Sequence, residues 1–195
     1  GSESEKKQLN DEVYHKLQHL KTQYNYDFAF YEGEGAIYKN LVQIAQQVMA
    51  EIMIMGTHGH SGFEEFWIGG NAYKTVSAAP CPVITLRESF QQPEFRNIIL
   101  PIDQSDHTRQ KVPFTAEFAN RFGATVHVIG VCTDSDEETV MYMRQYTNQV
   151  LDFMEEHEVP TKHDMLFGKN ITEITLDYAQ QNNGDLVAIM TEQEV

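Results

Sequence analysis

Basic residues are scarce in this sequence. Its 195 residues include 14 lysines and arginines against 29 aspartates and glutamates, a formal net charge of -15 at pH 7. A chain of that charge repels a phosphate backbone, so we expect no nucleic-acid partner. Long apolar runs are also missing, and no stretch approaches the length of a membrane span. Without such a run or a signal peptide, we expect a cytoplasmic protein that has no membrane partner.

Cysteine is equally sparse. Cys81 and Cys132 both lie in apolar surroundings, and we interpret them as reduced core residues of a cytosolic protein. Ser-His-Asp, Cys-His and paired-carboxylate spacings do not stand out, so the sequence predicts no catalytic site. His58 and His60 flank Gly59, but no further His or Cys is close in sequence. Because metal sites usually need three or four ligands, we expect no metal bound by these side chains.

The most informative stretch runs from residue 51 to residue 86. It begins with an apolar run at 52–55 that predicts a strand buried on both faces. A helical segment at 72–79 and a second apolar run at 83–86 follow. Five glycines lie between the first strand and the helix, at positions 56, 59, 62, 69 and 70. The order strand, glycine-rich loop, helix, strand predicts a parallel crossover unit.

The glycines of this loop have a physical use. Without a Cβ they let backbone N–H groups approach a ligand closely, and the start of a helix offers further free N–H groups. Such a loop binds phosphate. Turns between strands and helices also use glycine, so a simple turn remains the alternative interpretation.

The spacing of these glycines, G-x2-G-x9-G, resembles the signature of the universal stress protein family. The flanking segments IMGTHG and APCPVI are similar to that family's fourth and fifth strands. The resemblance implies an α/β fold of the adenine nucleotide alpha hydrolase-like type, with a parallel open sheet covered by helices on both faces and strand order 3-2-1-4-5. One position departs from the pattern, because Gly70 stands where the family usually has a hydroxyl residue.

The resemblance also implies a stress-response protein and a ligand. ATP or a related adenine nucleotide, with magnesium alongside it, would be bound, and any hydrolysis would be slow and incidental. The phosphate-binding set would be Gly56, Thr57, His58, Gly59, Gly69, Gly70 and Asn71. The adenosine-binding set would be Pro101, Ile102, Asp103 and Val131. For Asp103, a turn or a helix N-cap is the competing interpretation.

The chain repeats itself. Residues 37–47, IYKNLVQIAQQ, align with residues 171–181, ITEITLDYAQQ, at an offset of 171 − 37 = 134. The same offset pairs Gly56 with Met190 and Gly59 with Gln193. The second copy therefore has side chains where a backbone would approach phosphate, which disfavours a nucleotide there.

We predict two incomplete family-like units. Residues 3–87 would supply the family's second helix to its fifth strand, residues 88–94 would be a linker, and residues 95–195 would supply its first to fourth strands. Such a chain resembles a tandem two-domain stress protein trimmed at both ends.

The predicted strand at 52–55 would carry an open edge, and the apolar segment 97–102 is the candidate to cover it. The linker reaches only marginally, so we predict a homodimer in which this strand is exchanged between chains. The alternative is a non-catalytic dimerising interaction module that binds no nucleotide, which Gly70 and the degenerate second copy favour.

Three further expectations concern local structure. Aromatic residues at 26–31 predict a strand. Residues 108–122 predict a helix capped by Gly123. Met49, Met53 and Met55 are most simply core residues.

Overall fold

The computed structural model describes residues 3–57, 70–86, 94–105 and 107–190. The chain divides into two compact units, Gly1–Glu88 and Ser89–Val195. The predicted linker at 88–94 lies almost entirely outside the described residues.

The first unit combines helices with one strand pair. Its elements in chain order are α1 (Glu3–Tyr24), α2 (Ile37–Gln47), β1 (Met53–Gly56), α3 (Gly70–Ala78) and β2 (Val83–Leu86). β1 and β2 pair in parallel, with Met53 opposite Val83 and Gly56 opposite Leu86. Strand, helix and strand therefore follow the crossover order that the sequence predicts.

Three local predictions for this unit are wrong. Residues 26–31 form neither helix nor strand, because β-propensity needs a neighbouring strand to pair with and the described sheet of this unit consists of β1 and β2. β1 is not buried on both faces, since Ile54 is 64% exposed. Met49 is 86% exposed and outside the core, whereas Met53 and Met55 are partly buried.

The second unit is a parallel four-stranded sheet flanked by helices. Its elements are β3 (Asn97–Ile102), a 3-10 turn (Thr108–Lys111), α4 (Val112–Phe122), β4 (Thr125–Cys132), α5 (Glu137–Glu156), β5 (Thr161–Phe167), α6 (Ile171–Gln181) and β6 (Leu186–Val187). The strand order is β5-β4-β3-β6, and every described pair is parallel. This is the 3-2-1-4 part of the order expected from the resemblance.

β3 and β4 form the centre of the core. Ile98, Ile99, Leu100 and Ile102 of β3 have no exposed surface. Apolar side chains on both faces are what a central parallel strand requires, because helices cover each face. On one face, Ile99 packs in a cluster with Tyr178 of α6.

The predicted strand exchange between two chains stays a prediction. β3 pairs with β4 along one edge, and with β6 through Ile98 and Ile99 along the other. Both neighbours belong to its own unit, so the two edges of β3 are paired within that unit. The sequence argument sought a strand to cover the open edge at 52–55 and did not count Leu186–Val187 as the neighbour of β3 on that side.

The two units repeat the same geometry at the offset of 134 residues. The helices Ile37–Gln47 and Ile171–Gln181 have matching bounds. In the first unit the Ala50 N–H donates to Ala45 O at 2.9 Å, and in the second the Gly184 N–H donates to Ala179 O at 2.7 Å. The differences 184 − 50 and 179 − 45 both equal 134, so the chain turns in the same way after each helix.

Candidate functional site

A cavity of about 470 Å³ lies in the second unit where β3 ends. Its walls come from the end of β3, the segment 105–111, the first half of α6 and the chain following β6. From β3 the chain continues to β4 on one side, while β6 lies on the other. Open parallel sheets bind ligands outside the carboxyl ends of their strands at such a switch point.

Two of the four residues predicted to contact adenosine line this cavity, Pro101 and Asp103. The other two do not. Ile102 has no exposed surface. Val131 is 2% exposed and packs in the core beside Tyr178. The cavity therefore brings together the two residues at the end of β3 and leaves Ile102 and Val131 as core residues.

Asp103 also forms a turn, which was the alternative to a role in binding adenosine. Its Oδ1 accepts hydrogen bonds from the Ser105 N–H at 2.9 Å and from the Ser105 hydroxyl at 2.6 Å. Its own N–H donates to Thr108 Oγ1 at 3.2 Å. These bonds hold the carboxylate at the cavity wall, so the turn and a contact with a ligand are compatible.

Lys111 is the site residue that sequence reasoning missed. It lines the cavity, is only 9% exposed, and its Nζ donates to Thr108 Oγ1 at 3.3 Å. Burial lowers its pKa from the usual 10.5 to about 8, while the nearby Asp103 charge acts in the opposite direction. Helical phase could have found it, because Thr108, Lys111 and Thr115 fall on one inward face.

Apolar side chains complete the cavity. Leu176 of α6, Val187 of β6 and, beyond it, Ile189 and Met190 contribute to the wall. A mostly apolar cleft with a few convergent polar groups is the usual composition of a small-molecule site.

The first unit contains the residues predicted to bind phosphate. Gly56 ends β1 opposite Leu86, and the Thr57 N–H donates to Leu86 O at 3.0 Å. Gly70 begins α3, followed by Asn71. His58, Gly59 and Gly69 lie outside the described residues.

Neither Gly56 nor Gly70 is required by the backbone. The described glycines with positive φ are Gly35 and Gly123, and a Cβ built at Gly56 or Gly70 meets no atom of the described residues within 4 Å.

Within the described ranges, no group of three or more His, Cys, Asp or Glu side chains is placed to hold a metal ion. The same part of the chain contains no helix with the length and apolar character needed to cross a membrane. Cys81 and Cys132 are both free thiols.

This chain is similar to known proteins in both sequence and structure. The sequence pattern of the Universal stress protein family matches residues 2–87 and 94–194. The curated universal stress protein MJ0531 of Methanocaldococcus jannaschii is 31% identical over 55 residues, 28% of this chain and 32% of that protein. The aligned segment thus spans about a third of that relative.

Solved structures share the fold. A universal stress protein from Archaeoglobus fulgidus DSM 4304 aligns with a TM-score of 0.74 and 13% identity, over 94% of this chain and 67% of that one. A structure from Pseudomonas aeruginosa UCBPP-PA14 aligns with a TM-score of 0.70 and 15% identity, over 95% and 68%. With two matched segments covering most of its length, the chain belongs to the universal stress protein family.

Proposed function

We propose that the second unit binds ATP or a related adenine nucleotide in the cavity at the end of β3, as the non-enzymatic binding module of a cytoplasmic stress-response protein. The observation that carries this proposal is the cavity itself, which places Pro101 and Asp103 beside an apolar wall at the switch point of the sheet. Its volume of about 470 Å³ lies in the range of small-molecule sites, roughly 300–1,000 Å³.

The side chains fit a nucleoside. A purine is flat and largely apolar on its faces, which suits contact with Leu176 and Ile189. The ribose hydroxyls are donors, and the Asp103 carboxylate retains acceptor capacity beyond its two bonds to Ser105. The sequence argument disfavoured a nucleotide in this copy because it lacks the glycine loop, and that argument bears on the phosphates but not on the nucleoside.

The experiment has two steps. Denaturing the purified protein and identifying any released nucleotide tests for a bound ligand. Calorimetry with adenosine and ATP then compares wild type with Asp103→Asn, which keeps the shape but removes the charge. We expect the affinity for adenosine to fall about 10-fold or more, because hydrogen bonds to charged groups contribute about 1.5–3 kcal/mol.

Asp152→Asn is the matched control, since Asp152 is an exposed acid of α5 outside the cavity wall. It should leave both affinities unchanged. Wild-type protein that releases no nucleotide and binds neither probe would refute the proposed function.

The glycine loop of the first unit is a separate prediction. Phosphate binding by the stretch 56–71 is supported by the spacing of its glycines. Gly59→Val should weaken ATP binding at least tenfold if backbone N–H groups there hold phosphate, because a β-branched side chain blocks close approach. Equal ATP affinity in wild type and this variant would eliminate the loop as a phosphate site.

A second candidate function is self-association without nucleotide binding. The observation in its favour is a run of exposed aromatic side chains in the first unit, at Tyr24, Tyr26, Phe28, Phe30 and Tyr31. Exposed apolar side chains that cluster on a surface often mark interaction sites. Light scattering should then give the mass of a homodimer, and the double substitution of Tyr26 and Phe28 by serine should shift it to monomer. Tyr73→Ser, at an exposed aromatic of α3, is the control.

A further inference from the structure

Lys111 is a buried cation with few partners. Among the described residues, Lys111 Nζ donates to Thr108 Oγ1, which also accepts a hydrogen bond from the Asp103 N–H. None of the ion pairs among the described residues includes Lys111. An ammonium group has three donors, and burying it without strong acceptors is energetically unfavourable. The described surroundings therefore leave most of its bonding capacity free.

We propose that Lys111 binds the phosphate groups of the ligand held in the second unit, in place of the glycine loop that this copy does not have. This inference rests on the proposed function, since it assigns the phosphate contacts of the same cavity. It specifies the ligand as a phosphorylated nucleoside, in preference to a neutral nucleoside.

The geometry of the cavity supports this assignment. Lys111 and Asp103 both line it, so a ligand whose hydroxyls contact Asp103 has a cation nearby for its phosphates. At the offset of 190 − 56 = 134, Met190 occupies the place of Gly56 and contributes a side chain to the wall. A phosphate in this copy accordingly needs a side-chain cation, because close backbone approach is hindered by that side chain.

The positive charge of Lys111 is important for binding an anionic ligand because the protein as a whole is acidic. The chain carries a net charge of -15, so an anionic ligand is repelled over most of the surface. The titratable side chains among the described residues of the cavity wall are Asp103, His107 and Lys111. Nδ1 of His107 lies 3.0 Å from Nε2 of Gln110, so the imidazole has a local partner on its own segment.

The test compares Lys111→Met with wild type by calorimetry, using ATP and adenosine as probes. Methionine is similar in length and uncharged, and removing a buried charge does not threaten folding. We expect ATP affinity to fall at least tenfold while adenosine affinity changes less than twofold. Lys162→Met removes an exposed charge of β5 and should leave both affinities unchanged.

A second measurement uses the wild type alone. Between pH 7.5 and pH 9.5 Lys111 loses its proton, so ATP affinity should fall while adenosine affinity stays constant. Equal ATP affinity in wild type and Lys111→Met, or an equal loss for both probes, would overturn the assignment to phosphate. If ATP affinity is equal in wild type and Lys111→Met and adenosine still binds, the assignment of Lys111 fails but the proposed function stands. If the wild type binds neither ATP nor adenosine, both the assignment and the proposed function fail.

Discussion

Met49 and Asn183 occupy the same place in the two units and share the same left-handed backbone, with φ of 51° at both. They are 183 − 49 = 134 residues apart, and each lies two residues beyond the last residue of its helix, Gln47 or Gln181. Asparagine is among the few residues that tolerate this conformation, whereas methionine is not. The first unit therefore has a strained residue where the second has a suitable one.

Replacing Met49 by asparagine should stabilise the first unit. The left-handed conformation costs most L-residues about 1–2 kcal/mol, so relief on the order of 1 kcal/mol is expected in the free energy of unfolding. Met49 is 86% exposed, so little packing is lost. Urea unfolding followed by circular dichroism measures the change.

Asn183→Met is the reciprocal variant, and it should destabilise the second unit by a similar amount. If both substitutions shift stability in the same direction, the backbone explanation fails.

Gly184→Ala should destabilise the second unit, for a different reason. A Cβ there would lie 2.8 Å from Ile99 Cγ1 and 3.2 Å from Ala179 Cα, both in the packed core. Overpacking of this kind costs about 1–3 kcal/mol. Thermal unfolding measures it, and Gly70→Ala is the control because a Cβ there meets no atom of the described residues within 4 Å. A Gly184→Ala protein with wild-type stability would show that Ile99 can move aside.

The sequence predicts elements that depend on local signals better than elements that depend on a partner elsewhere in the chain. The helix Ile171–Gln181 and the left-handed Gly123 after Phe122 follow the prediction, because apolar spacing and capping are local signals. The predicted helix 108–122 is divided into a 3-10 turn and α4. The predicted strand at 26–31 fails because strand formation requires a partner that this part of the chain does not provide.

Prediction of the candidate site from the sequence is limited in the same way, because burial depends on the packed structure. Pro101 and Asp103 could be placed by resemblance, since they end a recognisable strand. Lys111 was missed because lysine is ordinarily exposed, although its helical spacing from Thr108 and Thr115, which are also buried, was an available signal. Val131 was predicted as a ligand contact, whereas the packing of α6 on the sheet buries it in the core.

His127 should make stability depend on pH on the acidic side. It is fully buried; Nε2 lies 3.1 Å from Asn97 Oδ1 and Nδ1 lies 3.4 Å from the Tyr178 hydroxyl, which donates to Asp164. Burial lowers the His127 pKa below its usual 6.5; Lys162 lowers it further, and Asp164 opposes them. Below pH 6.5 the unfolded chain therefore binds a proton that the folded chain resists.

The free energy of unfolding should consequently fall as the pH drops below 6.5, with a slope of at most about 1.4 kcal/mol per pH unit from this one group. His127→Gln should flatten that part of the profile. Unfolding curves between pH 5 and pH 7.5 provide the comparison, and His157→Gln, at an exposed histidine, serves as control. An unchanged slope in His127→Gln would assign the acid sensitivity to other groups.

Lys111 should produce a pH dependence of the same sign on the alkaline side. Its pKa is 10.5 in an unfolded chain and about 8 in the folded protein. Between these values the unfolded chain holds the extra proton, so the contribution of Lys111 to the free energy of unfolding rises with pH. Burial raises the pKa of Cys132 and raises that of Tyr178 to about 12, and both act in the opposite direction at alkaline pH.

Subtracting the profile of Lys111→Met from that of the wild type isolates the lysine, because the thiol and the phenol are common to both. At pH 7 the variant should be more stable by a few kcal/mol at most, since replacing a buried charge by an apolar side chain of similar size is often stabilising by about 1–4 kcal/mol. Its advantage should shrink as the pH rises from 8 towards 10, where wild-type Lys111 is neutral. Urea unfolding at pH 7, 8, 9 and 10 measures both quantities. An advantage that stays constant over this range would show that Lys111 keeps its proton in the folded protein.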